Sequence, residues 1–423
     1  MILAHGGLYP DSELSRLRDA LPEECAATIA VQSIDAECVI DACDLLARRA
    51  AQGAYDETLR PFLREYHISA EHFEDALTLL RRESLSQKLA VEGGTDALPP
   101  LRCADGSRVQ RMRRPLGVLL HIAAGNVDGL PAYSVIEGLL AGNINLLKLP
   151  SADRGASILL LRELVTIEPR LRDFVYVFDV PSNDAASLAA LARAADGVVV
   201  WGGDEAVRAA RGLAQPDTKI ISWGHKLSFA YAEPDAPDDE LRALARHVCE
   251  TRQLLCSSCQ GIFCDTEEMN TVNALAERFF ALLREENARA QSAPLPLRAK
   301  AALQMYCGQL EPPAGGRRVL RADGVGVITA PDSRLELSPL AGNCWVKPLP
   351  RARIVAELKP YKGYLQTAGL LCGRRDRPAL SEALTRAGVV RVTRAHTMSR
   401  TLPGEAHDGA YALHEYTRVV EWE

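Results

Sequence analysis

From residue 116 to residue 223 the chain repeats one pattern: a short apolar run, a break, then a stretch of helical periodicity. The runs fall at 116–122, 145–149, 174–180, 197–201 and 219–223, and helices are predicted over 130–140, 152–168 and 187–195. Runs this short and this apolar are strands buried on both faces. Alternated with helices they form a largely parallel sheet covered on either side. The expected fold class is therefore α/β, with a doubly wound domain. Such sheets bind ligands outside the C-terminal ends of their strands. The loops at Asn126, at Lys148 to Ser151 and at Gly202-Gly203-Asp204 would lie there.

With 423 residues the chain exceeds one ordinary core, and several domains are expected. Residues 1–100 read as a mainly helical region. Ser33 caps a helix carrying Val39, Ile40, Cys43, Leu45 and Leu46 on one face, and a second helix opens near Ser69. Gly93-Gly94 and Pro99-Pro100 punctuate the end of this region. The doubly wound domain occupies 101–224. A second domain, 225–395, has a helix over 238–251, a cysteine-bearing segment, a helix over 267–286, strands at 324–329 and 345–348, and a helix at 377–387. The C-terminal segment, 396–423, ends in the strand-like Tyr416 to Trp422.

Composition removes several classes. The formal net charge is -6 and basic residues are interleaved with carboxylates, unlike the footprint of a nucleic-acid binder. No charge-free stretch reaches the length of a membrane span. The opening Met-Ile-Leu-Ala-His-Gly-Gly lacks the charged leader of a secretory signal. The 11 cysteines are odd in number in a large chain, which points to reduced thiols and a cytoplasmic protein.

Chemistry concentrates in Arg252-Gln253-Leu254-Leu255-Cys256-Ser257-Ser258-Cys259-Gln260. A cysteine at a polar turn is open to substrate, and a helix end nearby would favour its thiolate. Three other readings of the segment stand beside this one. Free cysteines are commonly small core residues. Cys256-x-x-Cys259 is also half a zinc site or a redox pair. No second C-x-x-C accompanies it, so no metal site is expected.

Four segments resemble the aldehyde dehydrogenase superfamily: Pro115-Leu116-Gly117-Val118, Ile122 to Asn126, Ala141-Gly142-Asn143 and Lys148-Leu149-Pro150-Ser151. Gly202-Gly203 stands where that superfamily has its cofactor turn, and Ser222-Trp223-Gly224-His225-Lys226 where it has E-L-G-G-K. Within the superfamily, Gly224 to Ala230, the segment around Cys256, and Gly404-Glu405-Ala406-His407-Asp408-Gly409 are most similar to the LuxC-type acyl-CoA reductases.

The resemblance implies a cofactor domain, an α/β catalytic domain and a small oligomerisation element. It implies Cys256 as the nucleophile that takes an acyl group from a thioester, and Asn126 as an oxyanion donor. It implies Lys148 on a cofactor ribose, Gly202 and Gly203 against the pyrophosphate, and Glu336 on the nicotinamide ribose. Read without the family, these are a turn residue, a solvated lysine, an ordinary turn and a surface glutamate. His225 is a candidate proton donor or a structural hydrogen-bonder. Asp408 and Glu405 are candidates to anchor His407 over the site.

Two departures bear on chemistry. Ser222 replaces the glutamate that activates water in hydrolytic members, which favours reduction over acid formation. Ser151 stands where NAD-selective members place a glutamate, which favours NADPH, with NADH as the alternative. The resemblance further implies an acyl-CoA or acyl-carrier-protein substrate, an acyl-activating synthetase as partner, and a homo-oligomer. The rival readings are an aldehyde dehydrogenase, an acyl-phosphate reductase, and a non-catalytic thioester-binding scaffold.

Overall fold

The structure, a computed structural model, describes residues 1–423 except 58–60, 62–69, 124–129, 151–152, 154 and 311–316. The chain folds as two compact units, one of Met1–Gly224 with Leu402–Glu423, the other of His225–Thr401.

The first unit begins with β1 (Ile2–Ala4), β2 (Gly7–Tyr9), β3 (Ala97–Arg102) and β4 (Arg108–Pro115). It continues with β5 (Val118–Ile122), β6 (Ile144–Lys148), β7 (Val175–Phe178), β8 (Gly197–Trp201) and β9 (Lys219–Trp223). A seven-stranded sheet runs in the order β2-β1-β7-β6-β5-β8-β9. The strands from β5 to β9 are mutually parallel, as the apolar runs foretold. Strand order reverses between β5 and β8, so the crevice of a doubly wound sheet falls at the Gly202-Gly203 turn. Helices Leu130–Leu140, Ala156–Ile167, Ala185–Arg193 and Asp204–Leu213 connect the strands.

The start of the chain differs from its sequence reading. Strand β1 joins the large sheet, antiparallel to β7, because Ile2, Leu3 and Ala4 are apolar enough to be buried completely. The helix Ala36–Ala51 is capped by Asp35, whose side chain accepts from the Glu37 N–H, and not by Ser33. Val39, Ile40, Cys43 and Leu46 are buried there, whereas Leu45 is exposed. Pro99 and Pro100 lie inside β3, an edge strand whose register with β4 shifts between Leu98 and Leu101. Edges and bulges are where a sheet tolerates proline.

The second unit holds β10 (Leu227–Ala232), β11 (Cys259–Cys264), β12 (Arg318–Ala322), β13 (Val325–Thr329), β14 (Asn343–Pro348), β15 (Leu365–Leu371) and β16 (Arg391–Arg394). They form one sheet, β12-β13-β14-β11-β10-β15-β16, parallel except for the β12–β13 hairpin. Close packing is visible at Gly261 in β11. A Cβ there would lie 2.1 Å from the Trp345 ring. The final strand, β17 (Thr417–Trp422), returns to the first unit and pairs antiparallel with β4. Among the described residues, no helix is long and apolar enough to cross a membrane.

Candidate active site

Cys256 lies between the helix Asp238–Thr251 and β11. The chain leaves that helix through two left-handed residues, Arg252 (φ 51) and Gln253 (φ 65). Non-glycine residues take this conformation at a cost and keep it where the surroundings hold it. The holding group is the Gln253 side chain, which is 2% exposed. Its Nε2 donates to the carbonyls of Cys259 (3.1 Å) and Asn343 (3.2 Å) and to Ser338 Oγ (2.9 Å). Its Oε1 accepts from the Gly342 N–H at 3.1 Å. Buried Gln260 completes the clamp, accepting from Ser338 Oγ at 2.8 Å and donating to the Gln253 carbonyl at 3.2 Å.

Two further contacts orient the cysteine itself. Ser228 Oγ, in β10, donates to the Cys256 carbonyl at 2.7 Å and accepts from the Thr367 N–H at 3.0 Å. Gln366 Nε2, in β15, donates to the Cys256 sulfur at 3.3 Å. The helix end preceding Cys256 is a C-terminus, whose partial negative charge gives a thiolate no support. The expected helix-end assistance is therefore replaced by a side-chain donor.

Exposure separates Cys256 from most other cysteines. Cys256 and Cys307 are exposed, Cys103 is half-buried and the remaining eight are buried. Burial pushes the thiols of Cys249, Cys259 and Cys264 up to about 12, which makes them poor nucleophiles. Cys259 faces into its strand, with Sγ donating to the Gly261 carbonyl at 3.2 Å.

The other expected site residues fall as follows. His225 is exposed and, among the described residues, enters none of the hydrogen bonds given above for Cys256. Glu336 pairs with the buried Lys347 at 2.6 Å, and Lys347 also holds Asp332 at 2.8 Å. The Trp345 indole N–H donates to the Glu336 carbonyl at 3.0 Å. Asn126 and Ser151 lie outside the described residues.

In the first unit, Lys148 ends β6 and is 5% exposed rather than solvated. Its Nζ donates to Ser182 Oγ at 2.8 Å. Burial lowers its pKa, opposed by the nearby Asp179. A buried ammonium held by a neutral hydroxyl at a strand's C-terminal end suits a polyhydroxylated, anionic ligand. Gly203 precedes the helix Asp204–Leu213, and a Cβ on it would meet nothing within 4 Å. That open space admits a phosphate close to the backbone. These residues fit a nicotinamide dinucleotide.

The sequence model of the acyl-CoA reductase (LuxC) family matches residues 27–419. The chain belongs to this family. This LuxC-family chain is 24% identical over 325 residues to the long-chain acyl-protein thioester reductase of Aliivibrio fischeri, a match covering 73% of this chain and 64% of that protein. It is 29% identical over 155 residues to long-chain acyl-protein thioester reductase 2 of Photobacterium leiognathi, covering 35% of this chain and 32% of that one. The matches thus span less than two thirds of either relative's length. Among solved structures, aldehyde dehydrogenase 21 of Physcomitrella patens is similar at 12% identity and TM-score 0.76, over 98% of this chain and 91% of that one. A Sinorhizobium meliloti protein described as methylmalonate-semialdehyde dehydrogenase, complexed with NAD, is similar at 14% identity and TM-score 0.72, over 98% and 90%. The fold of this LuxC-family chain is therefore aldehyde-dehydrogenase-like.

Several residues of the site carried no readable sequence signal. Gln253 and Gln260 flank Cys256 and were visible only as polar neighbours. Ser338, Gln366, Lys347 and Ser182 come from distant segments, and only the fold brings them to their partners.

Proposed function

We propose that this chain reduces an acyl thioester, carried by CoA or a carrier protein, to an aldehyde through an acyl group held on Cys256. The observation that carries this reading is exposed Cys256 receiving the Gln366 N–H on its sulfur, on a loop clamped by buried Gln253. The names of the relatives, which are thioester reductases, point the same way.

The Cys256 thiolate attacks the thioester carbonyl and expels the donor thiol. Asn126, with the Cys256 backbone N–H, takes the negative charge of the tetrahedral oxygen. A reduced nicotinamide, when bound, supplies the hydride. A proton then completes the thiohemiacetal, whose collapse releases aldehyde and frees Cys256. His225 is the candidate donor of that proton. Ser222 offers no carboxylate to activate water, which protects the acyl-enzyme from hydrolysis.

Lys148, Ser151, Gly202 and Gly203 hold the cofactor, and Glu336 contacts its nicotinamide ribose. NADPH is preferred over NADH. Ser151 brings no charge against a 2'-phosphate. Asp153, the nearby carboxylate, is committed to the start of the helix Ala156–Ile167. It accepts from Gly155 N (3.2 Å), Ser157 N (3.1 Å) and Ser157 Oγ (2.6 Å). The working form is a cytoplasmic homo-oligomer served by an acyl-activating synthetase.

The test is aldehyde formation from a series of acyl-CoA and acyl-carrier-protein thioesters with NADPH or NADH. Aldehyde matched by cofactor oxidation, and lost in Cys256→Ala, supports the proposal. Carboxylic acid as the product, or full activity in Cys256→Ala, contradicts it.

A further inference from the structure

The C-terminal segment places a histidine on two tryptophans at the ligand-binding edge of the first unit's sheet. Trp201 and Trp223 are the last residues of β8 and β9 and face each other across that parallel pair. Their rings lie 5.6 Å apart. The His407 ring lies 4.8 Å from Trp201 and 5.2 Å from Trp223. Trp223 is buried, whereas Trp201 and His407 are half-buried and keep an open side.

The Trp201 ring is fixed by an unusually deep polar chain. Its Nε1–H donates to Ser134 Oγ at 3.0 Å. Ser134 lies 2.8 Å from His121 Nδ1, and His121 Nε2 lies 3.0 Å from Asn145 Oδ1. Asn145 Nδ2 donates to the Asn143 carbonyl at 2.7 Å, so its Oδ1 is the acceptor toward His121. Burial holds His121 neutral, with its pKa pushed down to about 4. Only one proton order satisfies every member: Trp201 to Ser134, Ser134 to His121, His121 to Asn145. Three buried polar residues thus aim one partly exposed indole at a strand end.

Position assigns the ligand. The sheet order β6-β5-β8-β9 puts Lys148 two strands from Trp201 and three from Trp223, roughly 10 and 14 Å at the usual strand spacing. With the adenosine ribose at Lys148 and the pyrophosphate at Gly202-Gly203, the other half of the dinucleotide extends toward β8 and β9. We infer that Trp201 and His407, backed by Trp223, form the wall on which the nicotinamide ring stacks. A flat heteroaromatic ring gains most from offset or edge contacts with such faces. This inference rests on the cofactor reading above.

The test is NADPH titration with excitation of tryptophan and detection of nicotinamide emission, alongside a direct dissociation constant by calorimetry. Wild type and Trp422→Phe, a control in exposed β17, give the same sensitised emission. Trp201→Phe loses at least half of it. His407→Ala weakens NADPH binding about tenfold, and His407→Phe restores most of the loss. If His407→Ala does not fold, the Trp201→Phe emission decides. Unchanged affinity in His407→Ala together with unchanged emission in Trp201→Phe would overturn the wall alone. Failure of the wild type to bind either NADPH or NADH would overturn the cofactor reading beneath it.

Discussion

Gln366 donates its side-chain N–H to the Cys256 sulfur at 3.3 Å, from a strand 110 residues further along the chain. A donor on a sulfur favours the thiolate over the thiol. Gln366→Leu removes it with little change in volume. Alkylation of Cys256, read site by site to separate it from exposed Cys307, is expected to slow at neutral pH. Acylation at neutral pH is expected to slow by about tenfold. Unchanged alkylation and acylation rates would mean that Gln366 only packs.

The clamp around Gln253 makes a prediction about stability. Gln253→Ala leaves the Gly342 N–H, the Ser338 hydroxyl and two carbonyls short of a partner in the interior. The expected loss is about 2–4 kcal/mol in chemical denaturation. Ser338→Ala should cost about 1 kcal/mol, and the double variant less than the sum, because both act through one network. Additive losses would show that the two side chains are independent.

Two buried histidines set a pH window. Burial pushes His121 and His247 down to about 4, with His396 adding to the effect at His247. Unfolded, each titrates near the ordinary histidine value of about 6.5. Between those values the unfolded chain binds protons that the folded chain refuses, so stability is full above about 6.5 and falls as pH drops toward 4. Denaturation midpoints from pH 7.5 to 4.5 are expected to show this slope, and His121→Gln to flatten it. A slope unchanged in His121→Gln would contradict the buried neutral state.

Cofactor choice is expected to follow one side chain. Ser151→Glu should lower the ratio of NADPH to NADH affinity by about tenfold, through repulsion of the 2'-phosphate. Calorimetric titration of both cofactors measures it. Equal ratios in the two proteins would move the selectivity determinant elsewhere.

The contrast between the two sheets explains what was readable in the sequence. Strands β5 to β9 are nearly unbroken apolar runs, such as Gly197–Trp201, and such runs leave a plain signal. Strands β10 and β15 read Leu-Ser-Phe-Ala-Tyr-Ala and Leu-Gln-Thr-Ala-Gly-Leu-Leu. Their Ser228 and Gln366 interrupt the apolar pattern because they serve Cys256. Cys256 itself was legible from its setting and its resemblance. Gln366 was not, since only the pairing of β10 with β15 brings it near. Lys148 was legible as a residue, but its burial was not.

The central claim is that Cys256 carries the acyl group. Intact-protein mass spectrometry after mixing the chain with acyl-CoA and acyl-carrier-protein thioesters, without cofactor, tests it most directly. The predicted result is a mass increase of one acyl group on wild type, absent from Cys256→Ala, and discharged as aldehyde when NADPH is added. A wild-type protein that stays unacylated by every thioester, or a Cys256→Ala protein that still becomes acylated, would contradict it.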